Sequence, residues 1–162
     1  MNIDQLKRQL EQKITAVRTY VNDKVPVVVG VEAVKEFKEN FDKESFDGKR
    51  WPNVKRRDPN SPWFGHTGQT GKKSQARTTA KILSGETGEL RNATTWRREG
   101  KSVIISNDKE YAAVHNEGLQ AKVYGKKTFT MPRRQFIGAT DNLKTKISDK
   151  IKRDLQNIIS NS

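Results

Sequence analysis

The chain has 162 residues and a net charge of +13, with 32 basic and 19 acidic side chains. Apolar residues make up 32%, and even with the 11 glycines added this stays under the ~45–50% of ordinary soluble domains, which implies a modest core. The absence of cysteine excludes a disulfide framework, a thiolate metal site and a cysteine nucleophile.

The length fits one domain. No apolar run approaches the ~18 residues of a membrane span, and the amphipathic N-terminus does not read as a signal peptide. The charge is uneven. Residues 1–48 carry 8 bases and 9 acids, a net of −1; residues 49–101 carry 13 and 4, a net of +9; residues 102–162 carry 11 and 6, a net of +5. A basic surface of this kind attracts nucleic acid, anionic membranes or an acidic protein, and charge alone does not choose among them.

In chain order, Ile3, Leu6, Leu10, Ile14, Val17 and Val21 recur at steps of 3, 4, 4, 3 and 4, the stripe of an amphipathic helix. Pro26 is expected to end or follow it. Three heptads are the bare minimum for a coiled coil, so the stripe is read as packing on the chain's own core or on a neighbouring subunit. A second helical pattern passes through Val31, Val34, Phe37 and Phe41 and stops near "SFDGKRW", where Asp47-Gly48 marks a turn. Residues 49–77 show no period and are rich in bases, proline, glycine and tryptophan. They read as a long basic loop that orders on a partner.

A short helix is expected over about Thr78–Ser84, stopped by Gly85. A turn at Thr87 or Gly88 then brings Leu83 and Leu90 to the core. Two hairpins follow. The first has strands near Ala93–Arg98 and Ser102–Ser106 around Glu99-Gly100, and the second bends at Gly125. Between them "DKEYAAVHNEG" has the length of two to three helical turns, with Gly118 past its end. A last helix carries Leu143, Ile147, Ile151, Leu155 and Ile158. The order is α+β: amphipathic helices at both ends, packed on a small, mostly antiparallel sheet, with a long basic loop. As a single domain over 1–162 it divides into an N-terminal helical part (1–48), the basic loop (49–77), an α/β core (78–140) and a C-terminal helix (141–160).

"GHTGQTGKKS" misses the P-loop pattern, because His66 stands at its first glycine and Lys73 at its magnesium-binding hydroxyl. His66 and His115 have no partner at metal spacing, and His115, four residues after Tyr111, reads as structural. The acids of residues 32–47 alternate with lysines at helical spacing, which is a solvated face. No nucleophile context appears. The expectation is therefore no enzyme, no cofactor and no metal. The Gly85-x-x-Gly88 pair invites comparison with a phosphate clamp. Glu86 and Glu89 would repel a phosphate backbone, and the flanks lead into a hairpin, so a turn is the better reading.

Four pieces in order carry a resemblance. They are "FDGKRWPNV", "KILSGETGELRNA", "VIISNDKEYAAVHNEG" and "MPRRQFIG". Together the chain resembles the phage virion morphogenesis family, the tail completion proteins of Mu-like and P2-like phages. The matching residues are Gly48, Trp51 and Pro52; Ile82, Leu83, Thr87, Gly88 and Leu90; Tyr111, Ala112, His115 and Gly118; and Pro132, Arg134, Phe136 and Gly138. Departures from the family pattern are the basic insertion after Trp51 and the doubled Arg133-Arg134.

The resemblance implies a structural virion component, assembled in the bacterial host cytoplasm, that acts in tail completion or head–tail joining. Its implied partners are other head–tail or tail proteins and further copies of itself. The motif glycines and Pro132 would then set backbone shape, and Trp51, Tyr111 and Phe136 would anchor packing. Lys55, Arg56, Arg57, Lys72, Lys73 and Arg77 of the basic loop are candidates to touch DNA or an acidic neighbour. The competing reading is a nucleic-acid-binding module whose aromatics, interleaved with bases, stack on single strands.

Overall fold

A computed structural model describes residues 2–67, 71–85, 87–123 and 125–161. Helix α1 (Ile3–Thr19) opens with a capping box, in which the Asn2 side chain accepts from the Gln5 N–H and the Gln5 side chain accepts from the Asn2 N–H. Pro26 does not end the helical run. A π-helical segment (Tyr20–Lys24) follows α1, and α2 (Val25–Lys43) continues from it with Pro26 as its second residue. A proline inside a regular α-helix removes one N–H and crowds the carbonyl four residues back. The wider i→i+5 turn, in which the Val25 N–H reaches the Tyr20 carbonyl, relieves that crowding.

Glu44 closes α2 in the left-handed region at φ 51°. Next come β1 (Ser45–Phe46) and β2 (Lys49–Arg50), antiparallel, joined by Asp47-Gly48 with φ of 48° and 76°. Two positive φ angles in a two-residue loop match the twist of a tight hairpin. After a 3-10 turn (Lys55–Arg57) come α3 (Gln75–Thr79), α4 (Glu89–Asn92), and β3 (Thr94–Glu99) paired with β4 (Ser102–Asn107). The chain then forms α5 (Ala112–Glu117), β5 (Gln120–Val123) paired antiparallel with β6 (Lys127–Thr130), and α6 (Asp141–Asn161). The fold is α+β, with helices at both ends and three two-stranded ladders between.

Two expectations change here. The helix expected over Thr78–Ser84 lies earlier, at Gln75–Thr79. Ile82 donates its N–H to the Glu44 carboxylate rather than to a helical ladder, and Leu83 turns into positive φ at 58°. Within 49–77, short elements replace much of the expected loop. The Gly65 N–H donates to the Arg56 carbonyl, the Ser74 N–H to that of Gly65, and His66 bridges Lys73. Such order comes from turn hydrogen bonds, which leave no hydrophobic period to read. Residues 68–70 of that segment, Glu86 and Tyr124 lie outside the described residues.

The chain forms two compact units. One comprises residues 1–36, 95–106 and 139–162. In it Tyr20, Ala33 and Leu143 are buried, Tyr20 donates to Asp154 at 2.7 Å, and Lys146 meets Glu36 at 2.7 Å. Thr140 caps α6 by accepting the Leu143 N–H, while its own hydroxyl donates to Glu36. Gly30 lies under Trp96, where an added Cβ would fall 2.1 Å from the indole, so alanine does not fit. The other unit comprises residues 37–94 and 107–138. Its core is Phe41, Trp51, Ile82, Leu90, Ala112 and Phe136, with Val54, Leu83 and Ile137 packed against it.

Candidate functional site: a buried motif frame and a basic segment

Five of those six core residues, all but Phe41, stand in the four sequence motifs. The motifs lie tens of residues apart in the chain, and one buried frame in the second unit draws them together. Phe136 is fully buried, with its ring 4.9 Å from that of Phe41; Trp51 meets Phe41 edge-on at 5.5 Å.

Polar contacts tie the frame as firmly as packing does. The Trp51 indole donates to the Gln135 carbonyl at 2.8 Å, which joins the "WP" piece to the "PRRQFIG" piece. Arg134 completes that joint, with Nε donating to the Pro52 carbonyl at 3.0 Å and Nη2 to that of Asn53 at 3.1 Å. The Arg134 N–H donates to the His115 carbonyl at 2.8 Å, and Asn116 Oδ1 accepts from both Phe136 and Ile137. Asn40 donates to the Phe136 carbonyl. Arg134 is only 5% exposed and bonds to neutral carbonyls, so burial lowers its pKa from the ordinary arginine value. Gly118 ends α5 at φ 71°, and a Cβ there would fall 2.9 Å from that of Arg133. Gly138 passes close to Phe46, 2.8 Å from an added Cβ.

The remaining motif residues lie nearer the surface. Gly48 and Gly88 hold positive-φ turn positions, and Thr87 and Pro132 are exposed. Tyr111, expected as a packing anchor, is 42% exposed, and its ring stands edge-on to His115 at 6.1 Å. Burial, then the nearby Arg134, lowers the His115 pKa, which favours the neutral ring. Its Nδ1 is buried without a hydrogen-bond partner among the described residues. Both aromatic rings line a cleft of about 530 Å³ with Arg77, Ser84, Thr87 and Glu89. Arg77 donates to the Gly85 carbonyl at 3.0 Å, and Glu89 meets Lys109 at 3.5 Å, so these two charges already have partners within the chain.

The six basic candidates separate into two groups. Arg56 donates to the carbonyls of Arg77, Ala80 and Lys81. Burial, then the neighbouring Arg77 and Arg57, pushes its pKa down to about 10. Arg57 grips both oxygens of Glu44, at 2.8 and 2.6 Å, and also reaches the Ala80 carbonyl. Arg56, Arg57 and Arg77 therefore hold the chain's own backbone. Lys55, Lys72 and Lys73 are exposed and have no ion pair among the described residues.

Sequence reading missed Phe41's place at the centre of the frame, and Asn40, Glu44 and Asn116 altogether. Asn116 stands inside "HNEG", so its nearness to the motif was a usable signal. Asn40 and Glu44 end a solvated-looking helix face and gave none. Among the described residues, no group of His, Asp or Glu could hold a metal ion, and no helix is long and apolar enough to cross a membrane.

Comparison with curated proteins and with solved structures returned no match. A family model does match, over residues 2–156, which takes in all four motifs, the frame they build, α1 and most of α6; the chain belongs to the phage virion morphogenesis family, and its role is in building the phage particle.

Proposed function

We propose that the protein completes the tail or joins head to tail, and that it works by self-assembly and by docking on other head–tail or tail proteins in particles assembled in the host cytoplasm. The observation that supports this most is the use to which the motif residues are put. Trp51, Ile82, Leu90, Ala112, Arg134 and Phe136 are buried in a frame that holds a shape. A shape-holding frame suits a part that must fit its neighbours. Deleting the gene from the phage is expected to leave filled heads and finished tails unjoined in electron micrographs of lysates. Intact infectious particles from the deletion would refute the reading.

A second reading rests on Lys55, Lys72 and Lys73, exposed and without an ion pair among the described residues, which suit contact with a phosphate backbone or an acidic protein surface. If each neutralises one phosphate, affinity for duplex DNA falls about 40-fold between roughly 50 and 200 mM salt. Changing all three to alanine flattens that slope. A titration that is flat against both duplex and single-stranded DNA excludes a nucleic-acid role for the segment.

A further inference from the structure

The first turns of α1 touch little of the chain. Every residue from Asn2 to Gln12 is exposed, yet the segment is a capped helix bearing an apolar stripe. Ile3 is 82% exposed, Leu10 51% and Ile14 57%. An isolated helix of this length is marginal in water, and an uncovered stripe of large aliphatic side chains marks an interaction surface. Helix α6 lies beside α1, through a 2.8 Å bond from Lys13 to the Ile159 carbonyl, and holds the π-helical turn after it through the Tyr20–Asp154 contact. Beside Ile159 the stripe borders a groove of about 540 Å³ lined by Leu10, Ile14, Val17 and Val21.

The stripe's spacing identifies the occupant. From Ile3 to Val17 the steps are 3, 4, 4 and 3, which read the same in both directions. Laid antiparallel on itself with Leu10 at the centre, α1 sets Leu10 against Leu10, Leu6 against Ile14 and Ile3 against Val17. The flanking charges Asp4, Lys7, Glu11 and Arg18 alternate in sign along one edge. Reversal places Asp4 near Arg18 of the other copy and Lys7 near Glu11. A parallel pair would face this edge with the opposite one, Asn2, Gln9, Lys13 and Ala16, whose single charge cannot match it, and would have to follow a heptad, which the two successive steps of 4 break. An unrelated helix has no need of a palindrome, whereas an isologous pair does.

We infer that α1 pairs antiparallel with α1 of a second copy of this chain, about a two-fold axis at Leu10. This rests on the self-assembly part of the proposed function. One helix pair is a small interface, so the dimer forms reversibly in the micromolar range.

The test uses the purified full-length chain. Sedimentation across a concentration series is expected to show monomer passing to dimer, and Leu10→Glu, which sets two carboxylates face to face on the axis, weakens it by about 100-fold. Leu10 is half exposed in the monomer, so helicity by circular dichroism stays unchanged. Because the natural chain lacks cysteine, single-cysteine variants report the geometry directly. Leu10→Cys cross-links with itself on oxidation. Leu6→Cys and Ile14→Cys cross-link when mixed, and neither does so alone. A chain that stays monomeric at high micromolar concentration, a dimer indifferent to Leu10→Glu, or equal self-cross-linking at all three positions overturns the proposal. These outcomes are read on the isolated chain, and the tail-completion reading is tested separately, on the particles of the deletion phage.

Discussion

Phe136→Ala is expected to remove about 3–5 kcal/mol from the stability of the second unit, the range for deleting a fully buried aromatic ring. Phe136 has no exposed surface, and it packs on Phe41 where the four motifs meet. The backbone on either side is pinned, because Asn116 accepts from Phe136 and Ile137 and Asn40 donates to the Phe136 carbonyl. Pinned walls cannot collapse into the space left behind, which puts the cost at the upper end of that range. Thermal unfolding should shift down by roughly 10 °C, at ~2–4 °C per kcal/mol for a chain of this size. Phe136→Leu keeps most of the volume and should lose less than half as much. A loss under ~1 kcal/mol for the alanine variant would mean that the frame does not depend on this ring.

Glu44→Ala should cost a similar amount for a different reason. Glu44 accepts two hydrogen bonds from Arg57 and one from the Ile82 N–H, with its side chain 19% exposed. Removing the carboxylate strands a partly buried guanidinium and a backbone donor at once, which costs ~3–5 kcal/mol where a buried pair is broken on one side. The same contacts predict a pH dependence. The Arg57 hydrogen bonds, more than any other cause, hold the Glu44 carboxyl down at about 2, against an ordinary 4.5. A depressed acid stabilises the fold fully above its unfolded value. That contribution, roughly 2–3 kcal/mol, is lost as pH falls from 4.5 towards 2. Urea unfolding at a series of pH values should show this acid limb in the natural protein and not in Glu44→Gln. An unchanged limb in the glutamine variant would assign the acid sensitivity elsewhere.

The contrast between these two residues shows what was legible in the sequence. Phe136 was visible because a motif carried it, and the stripes of α1 and α6 were visible because burial on one helix face imposes a period. Glu44 was invisible, because its partners lie 13 and 38 residues on and a single carboxylate serving distant donors leaves no repeat. The same holds for residues 49–77, where order comes from backbone turns and from Arg56 and Arg57 gripping carbonyls. There the sequence showed charge, and charge was read as an offer to a partner. Half of it is spent within the chain. Pro26 misled in the opposite direction, since a proline normally reads as a stop and the π-helical turn before it was not foreseen.

That turn has an evolutionary consequence. Tyr20–Lys24 accommodates one more residue than a regular helix needs, so it is a natural place for the gene to gain or lose a codon. Five residues of a π-helical turn cover about the rotation of four in an α-helix, so losing one would close the segment to regular α-helix and leave α1 nearly in phase with the first turns of α2. The apolar stripe would then keep its bearing, with no residue of the motif frame altered. Lineages carrying this fold could thus gain or lose a codon here without changing which neighbour the N-terminal helix meets.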